Sequence, residues 1–490
     1  MAMTHIDFVE QSLRDGQQSL WGMRMRAYEA ADALPYLARG GYRTIDLTGA
    51  GMFTVLLREY FEDPWATLDF LVAGLPGNEL RSGLRTISAV GFAHTPQVVL
   101  DLWIQTLIKH GATSFWLYDC LYDMETMKHM VGVVREAGGQ PVPAVMYGFT
   151  SVHDDAFFAE RAAQMATWDG VESIYFEDAA GVLKPERART LLPAIRSAVG
   201  EMPLEMHAHN TTGLAQHNYI IAVESGFNRL HTATRPLANG ASLPSTEMMA
   251  DIVEYMGYTH SLDRSTLAPV ADVFTRVAKE GGHLLGVPAE YDPRIYDHQL
   301  PGGMTGTLIN QLAMHGMGDR LPDVLAAIPQ VRRDLGEPIM ATPFSQFVGI
   351  QAVLNIVTGD PYSIVPDEVV HYALGHYGPV AGAMNQDVLD RILSTPRAKA
   401  LQSWSRPDPS LAELRPHFAA GISDEEFLLR YMMSNEEVDA MIAKGPIRTD
   451  PRRSANTIVS AVTDLIAERS ALTSFSVTSP EYSVSLSKEA

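Results

Sequence analysis

Two histidines separated by one residue, His207 and His209, have the spacing in this chain that most directly suggests metal chemistry. They lie in the run LEMHAHN (204–210), which reads as a β-strand, and alternate residues of a strand point to the same side. Two imidazoles that face one point form a chelating pair, and Asp15 would add a carboxylate oxygen. Two nitrogens and one oxygen suit Zn²⁺, Mn²⁺ or Co²⁺. The alternative is that both histidines are hydrogen-bonded core residues.

Charged residues also occur at the ends of other strand-like runs. Arg14 follows the first run, Arg85 lies in the third and Glu177 in the sixth. An arginine in such a place can bind a carboxylate or stabilise a developing enolate. The alternative is that each arginine pairs with an acidic residue of the fold, such as Asp46 or Asp119.

Short β-branched or aromatic runs recur along the first 260 or so residues, and helical patterns separate them. The eight runs are 4–13, 42–49, 84–92, 114–120, 142–149, 173–179, 204–210 and 229–235. Strands that alternate with helices pair in parallel, and eight such units predict an α/β fold of the (β/α)8 barrel type. An open doubly wound sheet is the competing fold, but it would normally have a glycine-rich phosphate loop after the first strand, and RDGQQS is not one. In a barrel, the polar residues above would meet at the carboxyl ends of the strands.

From about residue 300 the strand pattern fades and helical patterns dominate. Clear examples are 324–335, 347–357 and 424–433. We therefore expect the barrel to occupy 1–299 and a mainly helical domain to occupy 300–468. The last stretch, 469–490, is rich in Ser and Thr without a helical period, which predicts a flexible tail.

Composition excludes several classes of protein. With 37 basic and 58 acidic residues the net charge is −21, which argues against binding to nucleic acid or to an anionic membrane. No apolar run is long enough to predict a membrane span, and the first residues do not resemble a signal peptide. Cys120 is the sole cysteine, so no intramolecular disulfide is possible, and we interpret it as a buried apolar residue. A cytoplasmic location is expected.

Several longer motifs resemble, in order, those of the biotin-dependent carboxyltransferase family. That family includes the carboxyltransferase domain of pyruvate carboxylase, the α subunit of oxaloacetate decarboxylase and the central subunit of transcarboxylase. The opening motif is similar to SLRDGQQSLWGMRMR (12–26). The others are EDPWATL (62–68), LRTISAVGF (84–92), EDAAGVLKP (177–185), MHAHNTTG (206–213), LPSTEMM (243–249), PGGMTGTLINQL (301–312) and ATPFSQFVG (341–349). The resemblance covers about residues 5–460.

The resemblance implies a fold and an acceptor site. The family has a (β/α)8 barrel followed by a mainly helical domain that funnels carboxybiotin into the barrel mouth, which agrees with the domains expected above. A divalent metal would bind at the carboxylate and two histidines already described. Arg14, Gln18 and Arg85 would hold a 2-oxo acid, such as pyruvate or oxaloacetate, and its enolate oxygen.

The resemblance also implies a biotin site and partner proteins. Thr342 would shuttle a proton between the acceptor and N1 of biotin, and Ser345 would contact the same cofactor. No Met-Lys-Met biotinylation hairpin and no ATP-binding carboxylase region occur in this sequence. Biotin is therefore expected on a separate biotin carboxyl carrier protein, charged by a separate biotin carboxylase subunit, and we expect a homodimer.

One departure from the family affects the metal site directly. Glu177 stands where the family has a lysine that carries a carbamate and binds the metal. Glutamate cannot be carbamylated, but it too ends in a carboxylate, so Glu177 is predicted to be the fourth ligand. Its side chain is shorter, so direct ligation would need the metal or the strand to shift, or a bridging water. Lys184 lies seven residues further on and does not replace the lysine.

Other departures affect the acceptor. The family's tyrosine, asparagine, aspartate and lysine are replaced by Phe92, Ser88, Asn210 and Gln346, and TGAG (48–51) replaces W-G-G-A. A lost polar contact costs about 1–3 kcal/mol. These losses together predict a carbonyl substrate other than pyruvate.

Three functions therefore remain open from the sequence. The first is a metal-dependent carboxyltransferase subunit that uses a separate biotin carrier. The second is a biotin-independent, metal-dependent lyase or decarboxylase, because the same barrel supports enolate chemistry without biotin. The third is a non-catalytic subunit of a carboxylase complex. The presence of Thr342 favours the first, because the proton shuttle to biotin is what requires this hydroxyl.

Overall fold

A computed structural model gives the fold of the chain. It describes residues 5–91, 94–302, 304, 308, 312, 316–451, 474–478 and 483–487. These residues form two compact units, Met1–Ile447 and Arg448–Ala490, and all the site residues discussed below belong to the first. In the described ranges, no helix is both long and apolar enough to cross a lipid bilayer.

Eight parallel strands close into a barrel, in which each strand pairs with the next along the chain and the last pairs with the first. The strands are β1 (Asp7–Glu10), β2 (Thr44–Thr48), β3 (Glu79–Arg85), β4 (Ser114–Tyr118), β5 (Gln140–Met146), β6 (Ile174–Asp178), β7 (Leu204–Ala208) and β8 (Arg229–Thr232). The predicted (β/α)8 barrel is therefore confirmed. Its strands are buried, because helices cover the outside of the sheet and side chains fill the inside.

The third strand is displaced from its predicted position. The run 84–92 is mostly a loop, and β3 precedes it as ELRSGLR. Ile87 and Val90 are buried in that loop, so their apolar character resembled a strand. The loop is held by Gly91, whose carbonyl oxygen accepts hydrogen bonds from Arg85 at 2.8 Å and Ser88 at 2.9 Å.

Helices on the outside of the barrel follow the predicted apolar periodicity. In Gln97–Lys109, Leu100, Trp103 and Leu107 share one face and are buried. The other α-helices described in the barrel region are Gln17–Trp21, Ala27–Ala30, Leu34–Ala38, Ala50–Tyr60, Pro64–Gly74, Met124–Glu136, Asp155–Ala166, Pro185–Val199, Ala215–Glu224, Thr246–Tyr255 and Leu267–Gly281.

The rest of the first unit is mainly helical, as predicted. Its α-helices include Ile295–His298, Leu321–Asp334, Phe344–Thr358, Asp367–Ala373, Gln386–Ser394, Pro396–Leu401, Leu411–Leu414, Asp424–Met432 and Asn435–Lys444. This region contacts the loops at the carboxyl ends of the barrel strands. Arg406 donates hydrogen bonds to the carbonyl oxygens of Thr86 at 3.1 Å and Thr95 at 2.8 Å, on the loop after β3. The helical region therefore forms part of the barrel mouth.

The second unit contains two short antiparallel strands, β9 (Ser474–Thr478) and β10 (Ser483–Ser487). The sequence pattern of 469–490, which is rich in Ser and Thr and has no helical period, predicted a flexible tail and not these strands. The predicted tail boundary at 468/469 lies outside the described residues, and the predicted division at 299/300 stays a prediction.

Candidate metal centre

Asp15, His207 and His209 converge at the carboxyl end of the barrel. Of the histidine, cysteine and carboxylate side chains in the described part of the chain, these are the three whose ligand atoms all lie within 4.8 Å of one another. The Nε2 atom of His207 is 3.3 Å from Asp15 Oδ2, and that of His209 is 3.4 Å from Asp15 Oδ1. The two Nε2 atoms are 3.3 Å apart. One cation could therefore contact all three side chains.

A short π-helical turn, Ser12–Gly16, is separated from the end of β1 by one residue and positions the carboxylate. Gly16 lies so close to the loop after β8 that a Cβ atom would be 2.8 Å from the carbonyl oxygen of Leu237, so a larger residue would push the turn away. Ser19 donates to Asp15 Oδ1 at 2.7 Å, which restrains the carboxylate further.

The two histidines follow from strand alternation, since His207 lies in β7 and His209 just after it. Nδ1 of His209 donates to the carbonyl oxygen of Ala241 at 2.6 Å, which leaves Nε2 as the ring nitrogen that faces Asp15. A histidine ligand usually has such a partner for its second ring nitrogen, because that bond sets the tautomer.

The electrostatics of the group suit a cation. Burial would raise the pKa of Asp15, but Arg14 and His209 hold it well below its usual value, so the carboxylate is ionised. Burial lowers the pKa of His207 well below its usual value and keeps it neutral. Burial would lower the pKa of His209 too, but Asp15 raises it to about 9. A divalent ion would replace the proton on His209, and the donor set of one carboxylate and two imidazoles fits such an ion.

Arg14 pairs with acidic residues and still has a nitrogen to spare. It donates to Asp15 at 2.6 Å and to Asp46 at 3.1 Å, and its guanidinium lies over the ring of Trp116 at 5.0 Å. Its Nη2 is buried without a hydrogen-bond partner among the described residues. The structural and the substrate-binding interpretations of Arg14 are therefore compatible.

Glu177 lies beside the group but is not a member of it. It is the residue of β6 paired with His207 of β7, so both side chains point to the same face. Its Oε2 is buried without a hydrogen-bond partner in the described part of the chain. Burial raises the pKa of Glu177 to about 7, and Arg14 opposes this rise. Glu177 is thus a buried carboxyl group next to Asp15, His207 and His209, but its oxygens do not lie within 4.8 Å of all three of their ligand atoms.

The other residues predicted to bind the acceptor are placed differently. Arg85 is buried at the end of β3. Burial raises the pKa of the nearby Tyr118 hydroxyl, Glu177 adds to this rise, and the positive charges of Arg85 and Arg14 oppose it. Gln18 is exposed and belongs to the short helix after the π-helical turn. Phe92 lies outside the described residues.

Thr342 and Ser345 lie where the helical region meets the barrel. The carbonyl oxygen of Thr342 accepts a hydrogen bond of 3.6 Å from the thiol of Cys120, which follows β4. Thr342 is half-buried, and its hydroxyl accepts a hydrogen bond of 3.3 Å from Gln346. Ser345 is fully buried and donates to Gln346 at 3.0 Å. Cys120 is buried, as expected for an apolar role, and burial raises its pKa well above the usual value.

A layer of buried polar residues beneath the site was not anticipated from the sequence. Glu205 accepts hydrogen bonds from Arg81 at 2.5 Å, Arg229 at 2.9 Å and His231 at 2.8 Å. Strand alternation could have found part of it, because Glu205 precedes His207 by two residues and therefore faces the same interior.

Two protein-family models match the chain. The model described as "HMGL-like" matches residues 114–274, within the barrel region. The model described as "Conserved carboxylase domain" matches residues 295–453, within the mainly helical region.

Curated relatives match across both regions. A pyruvate carboxylase subunit of Methanocaldococcus jannaschii is 31% identical over 389 residues, which are 79% of this chain and 68% of that protein. The methylmalonyl-CoA carboxyltransferase 5S subunit of Propionibacterium freudenreichii subsp. shermanii is 30% identical over 374 residues, covering 76% of this chain and 74% of the relative. The 2-oxoglutarate carboxylase large subunit of Hydrogenobacter thermophilus is 28% identical over 448 residues, with coverage of 89% and 69%.

Solved structures resemble the fold. The carboxyl transferase domain of Rhizobium etli pyruvate carboxylase with pyruvate superposes with a TM-score of 0.81, at 24% identity, over 92% of this chain and 78% of that one. At this identity the likeness establishes the fold alone.

Proposed function

We propose that this chain, which belongs to the carboxyltransferase family of pyruvate carboxylase and transcarboxylase, is the carboxyltransferase subunit of a biotin-dependent enzyme. It would move a carboxyl group between carboxybiotin and a 2-oxo acid or a related carbonyl compound through an enolate. The observation that supports this most strongly is the convergence of Asp15, His207 and His209 at the barrel mouth, beside Nη2 of Arg14, which has no hydrogen-bond partner among the described residues.

The acceptor would be held by this chain's own cationic groups. Nη2 of Arg14 is a buried donor that can give a hydrogen bond to the carboxylate or enolate oxygen of a 2-oxo acid. Arg85 supplies a second cation at the same end of the barrel. A divalent cation bound to Asp15, His207 and His209 would polarise the acceptor carbonyl and stabilise the enolate. We propose that Gln18, which is exposed, contributes to acceptor binding at the edge of the pocket.

The proton would pass through Thr342. Its Oγ1 would accept the proton from the carbon next to the acceptor carbonyl and give its own proton to N1 of biotin. As the N1–carboxyl bond breaks and CO2 leaves, the enolate carbon would attack CO2 and form the new carbon–carbon bond. The proximity of Thr342 to Cys120 at the end of β4 supports this role, and Ser345 on the same turn would contact biotin.

We propose Glu177 as the fourth metal ligand, and Glu177→Gln tests this with two effects of opposite sign. The variant should bind Zn²⁺ or Co²⁺ more weakly than wild type because a carboxylate is lost. Bicarbonate should not activate wild type, because no lysine needs a carbamate. In the absence of metal, the Glu177→Gln variant should be more stable than wild type at pH 8. Burial raises the pKa of Glu177 from 4.5 to about 7, so the folded wild type holds this proton more tightly than the unfolded chain does. The stability that this proton gives to the fold is complete below pH 4.5 and is lost as the pH rises through 7, where the buried carboxyl group ionises, whereas the glutamine of the variant does not ionise.

The measurements are metal titration and thermal unfolding of the metal-free protein from pH 5 to pH 8. The gain should be about 2–4 kcal/mol at pH 8 and should vanish toward pH 4.5. Glu172→Gln, at an exposed position two residues before β6, is the matched control and should change neither quantity. Unchanged metal affinity in Glu177→Gln would remove Glu177 from the ligand set.

The proposed function also implies a class of acceptor and a set of partner chains. The relatives named for pyruvate and 2-oxoglutarate support a 2-oxo acid, and the altered residues Ser88, Asn210 and Gln346 support one other than pyruvate. Both relatives are named as one subunit of a carboxylase, which supports an assembly in which a biotin carboxyl carrier protein and a biotin carboxylase are separate chains. We further propose that the chain forms a homodimer in the cytoplasm.

A screen of 2-oxo acids with purified protein tests this function. Elemental analysis should find a divalent metal, and at least one 2-oxo acid should be carboxylated with carboxybiotin and not without it. The second candidate is a biotin-independent lyase or decarboxylase, because a cation at Asp15, His207 and His209 could stabilise an enolate without biotin. Turnover of the same magnitude with and without biotin would select that candidate, and metal-bound protein inactive on every acid would favour a non-catalytic subunit.

A further inference from the structure

The guanidinium of Arg406 joins the two ends of the loop that follows β3. Its Nη2 donates to the carbonyl oxygen of Thr86 at 3.1 Å, where the loop leaves the strand, and to that of Thr95 at 2.8 Å, just before the next helix. The amide of Thr95 in turn donates to the carbonyl oxygen of Ile87 at 3.0 Å. One side chain of the helical region therefore closes a loop of the barrel.

Arg406 makes this bridge without a carboxylate partner in the described part of the chain. Its Nε there is buried and has no hydrogen-bond partner. Burial lowers the pKa of Arg406, and the more distant carboxylates of Asp123 and Asp119 oppose this change. A cation that loses water without forming an ion pair costs free energy, so the hydrogen bonds to the loop are what this guanidinium contributes here.

The loop that Arg406 closes also holds the guanidinium of Arg85. Arg85 is buried at the end of β3, and its Nη2 donates to the carbonyl oxygen of Gly91 at 2.8 Å. Ser88 donates to the same oxygen at 2.9 Å. Gly91 has a φ of 69°, a left-handed conformation that residues with a Cβ rarely adopt. The direction of the Arg85 guanidinium therefore depends on the shape of the loop.

A second contact joins the same loop to the helical region. The ring of His94 stacks on Tyr377 with the centroids 4.5 Å apart, and it lies 5.0 Å from the ring of Trp404, two residues before Arg406. The segment that carries Arg406 is thus packed against the loop. This packing restrains the guanidinium beyond what its two hydrogen bonds do alone.

We propose that Arg406 is a positioning residue for the acceptor: by tying Thr86 to Thr95, it fixes the loop that aims Arg85 at a carboxylate of the acceptor. This rests on the acceptor site of the proposed function. Arg406 would act through Arg85 and not by contact with the acceptor. The helical region would then shape the binding of the acceptor as well as that of biotin.

A double-mutant cycle separates this role from general packing. Arg85→Met should raise KM for the best 2-oxo acid about 10–100-fold, the usual value of a hydrogen bond to a charged group. Arg406→Met keeps the apolar stem and removes the bridge, so KM should rise about fivefold or more, with a smaller change in kcat. In the Arg85→Met background, Arg406→Met should change KM about twofold at most, because the group that it positions is gone.

Arg406→Lys provides the rescue and Arg391→Met the matched control. A lysine ammonium can donate to both carbonyl oxygens, so Arg406→Lys should have a KM closer to wild type than Arg406→Met has. Arg391 donates to Asp360 at 2.7 Å, a contact within the helical region that does not reach the barrel. Its loss should leave KM and kcat unchanged.

The experiment measures KM and kcat with carboxybiotin, and amide hydrogen exchange of 84–95 in the protein without substrate. Thermal unfolding and metal content are recorded for each variant. Exchange in 84–95 should be about tenfold faster in Arg406→Met than in wild type, because the loop opens locally. Arg391→Met should exchange there as wild type does, and metal content should stay the same in both variants.

Equal KM values in wild type and Arg406→Met would overturn the proposal. So would unchanged exchange in 84–95, or an effect of Arg406→Met that is as large in the Arg85→Met background as in wild type. If Arg406→Met does not fold, Arg406→Gln and Arg406→Lys take its place in the same cycle. If wild type carboxylates no 2-oxo acid, the proposed function fails, whereas the exchange still decides whether Arg406 fixes the loop.

Discussion

The double substitution His207→Ala, His209→Ala is expected to remove the bound metal and to abolish carboxyl transfer. Each histidine supplies one Nε2 at the convergence with Asp15, and their loss leaves carboxylate ligands alone, Asp15 and the proposed Glu177, which hold Zn²⁺ or Co²⁺ less well than a set with two imidazoles. Metal content by elemental analysis should fall from about one equivalent to background. Turnover should fall by several orders of magnitude, since stabilisation of an enolate by a cation is worth several kcal/mol.

A surface histidine provides the control for this experiment. His129 is exposed, and its Nε2 is 3.0 Å from Asp101 on the outside of the barrel, so it too pairs with a carboxylate. His129→Ala should keep full metal content and turnover. A double variant that retains the metal would place the site elsewhere in the protein. One that loses the metal and keeps full turnover would show that the metal is not required for the reaction.

Thr342→Ala is expected to abolish carboxyl transfer and to leave the metal bound. The hydroxyl would relay a proton between the acceptor carbon and N1 of biotin, and removal of a positioned proton-transfer group typically costs about 10²–10⁴-fold in rate. Thr342 is not the N-cap of the following helix, since Pro343 occupies that position. Its loss should therefore cost no more stability than an ordinary cap, about 1 kcal/mol.

Thr342→Ser is the matched control, because it keeps a hydroxyl at the same atom and should retain substantial turnover. The assay is turnover of the best 2-oxo acid with and without biotin, together with metal content and thermal unfolding. Loss of activity accompanied by unfolding would indicate a structural role. Biotin-independent turnover that survives Thr342→Ala would reject the carboxyltransferase and favour the lyase.

The amino-acid sequence by itself predicted the barrel and all three converging residues, and for two of them, His207 and His209, a local pattern was enough. Helical and strand periodicities arise from residues near one another in the chain, so they identify elements without knowledge of their neighbours. The pair His207 and His209 is of the same kind, because alternation within one strand is enough to aim both side chains at one point. Where local pattern misled, as in the run 84–92, buried residues of a loop imitated a strand.

Only the tertiary structure decided which side chains meet. Barrel closure brings Asp15, from the turn after β1, to the end of β7, and it leaves Glu177 of the adjacent strand outside the converging group. Packing of the helical region against the barrel brings Thr342 to Cys120, although 222 residues separate them in the chain. These outcomes depend on strand register and side-chain length to within about 1 Å, and sequence spacing does not specify distances of that size. The hydrogen bonds of Arg406 to Thr86 and Thr95 have the same origin, because they join the helical region to residues that lie 320 and 311 positions earlier in the chain.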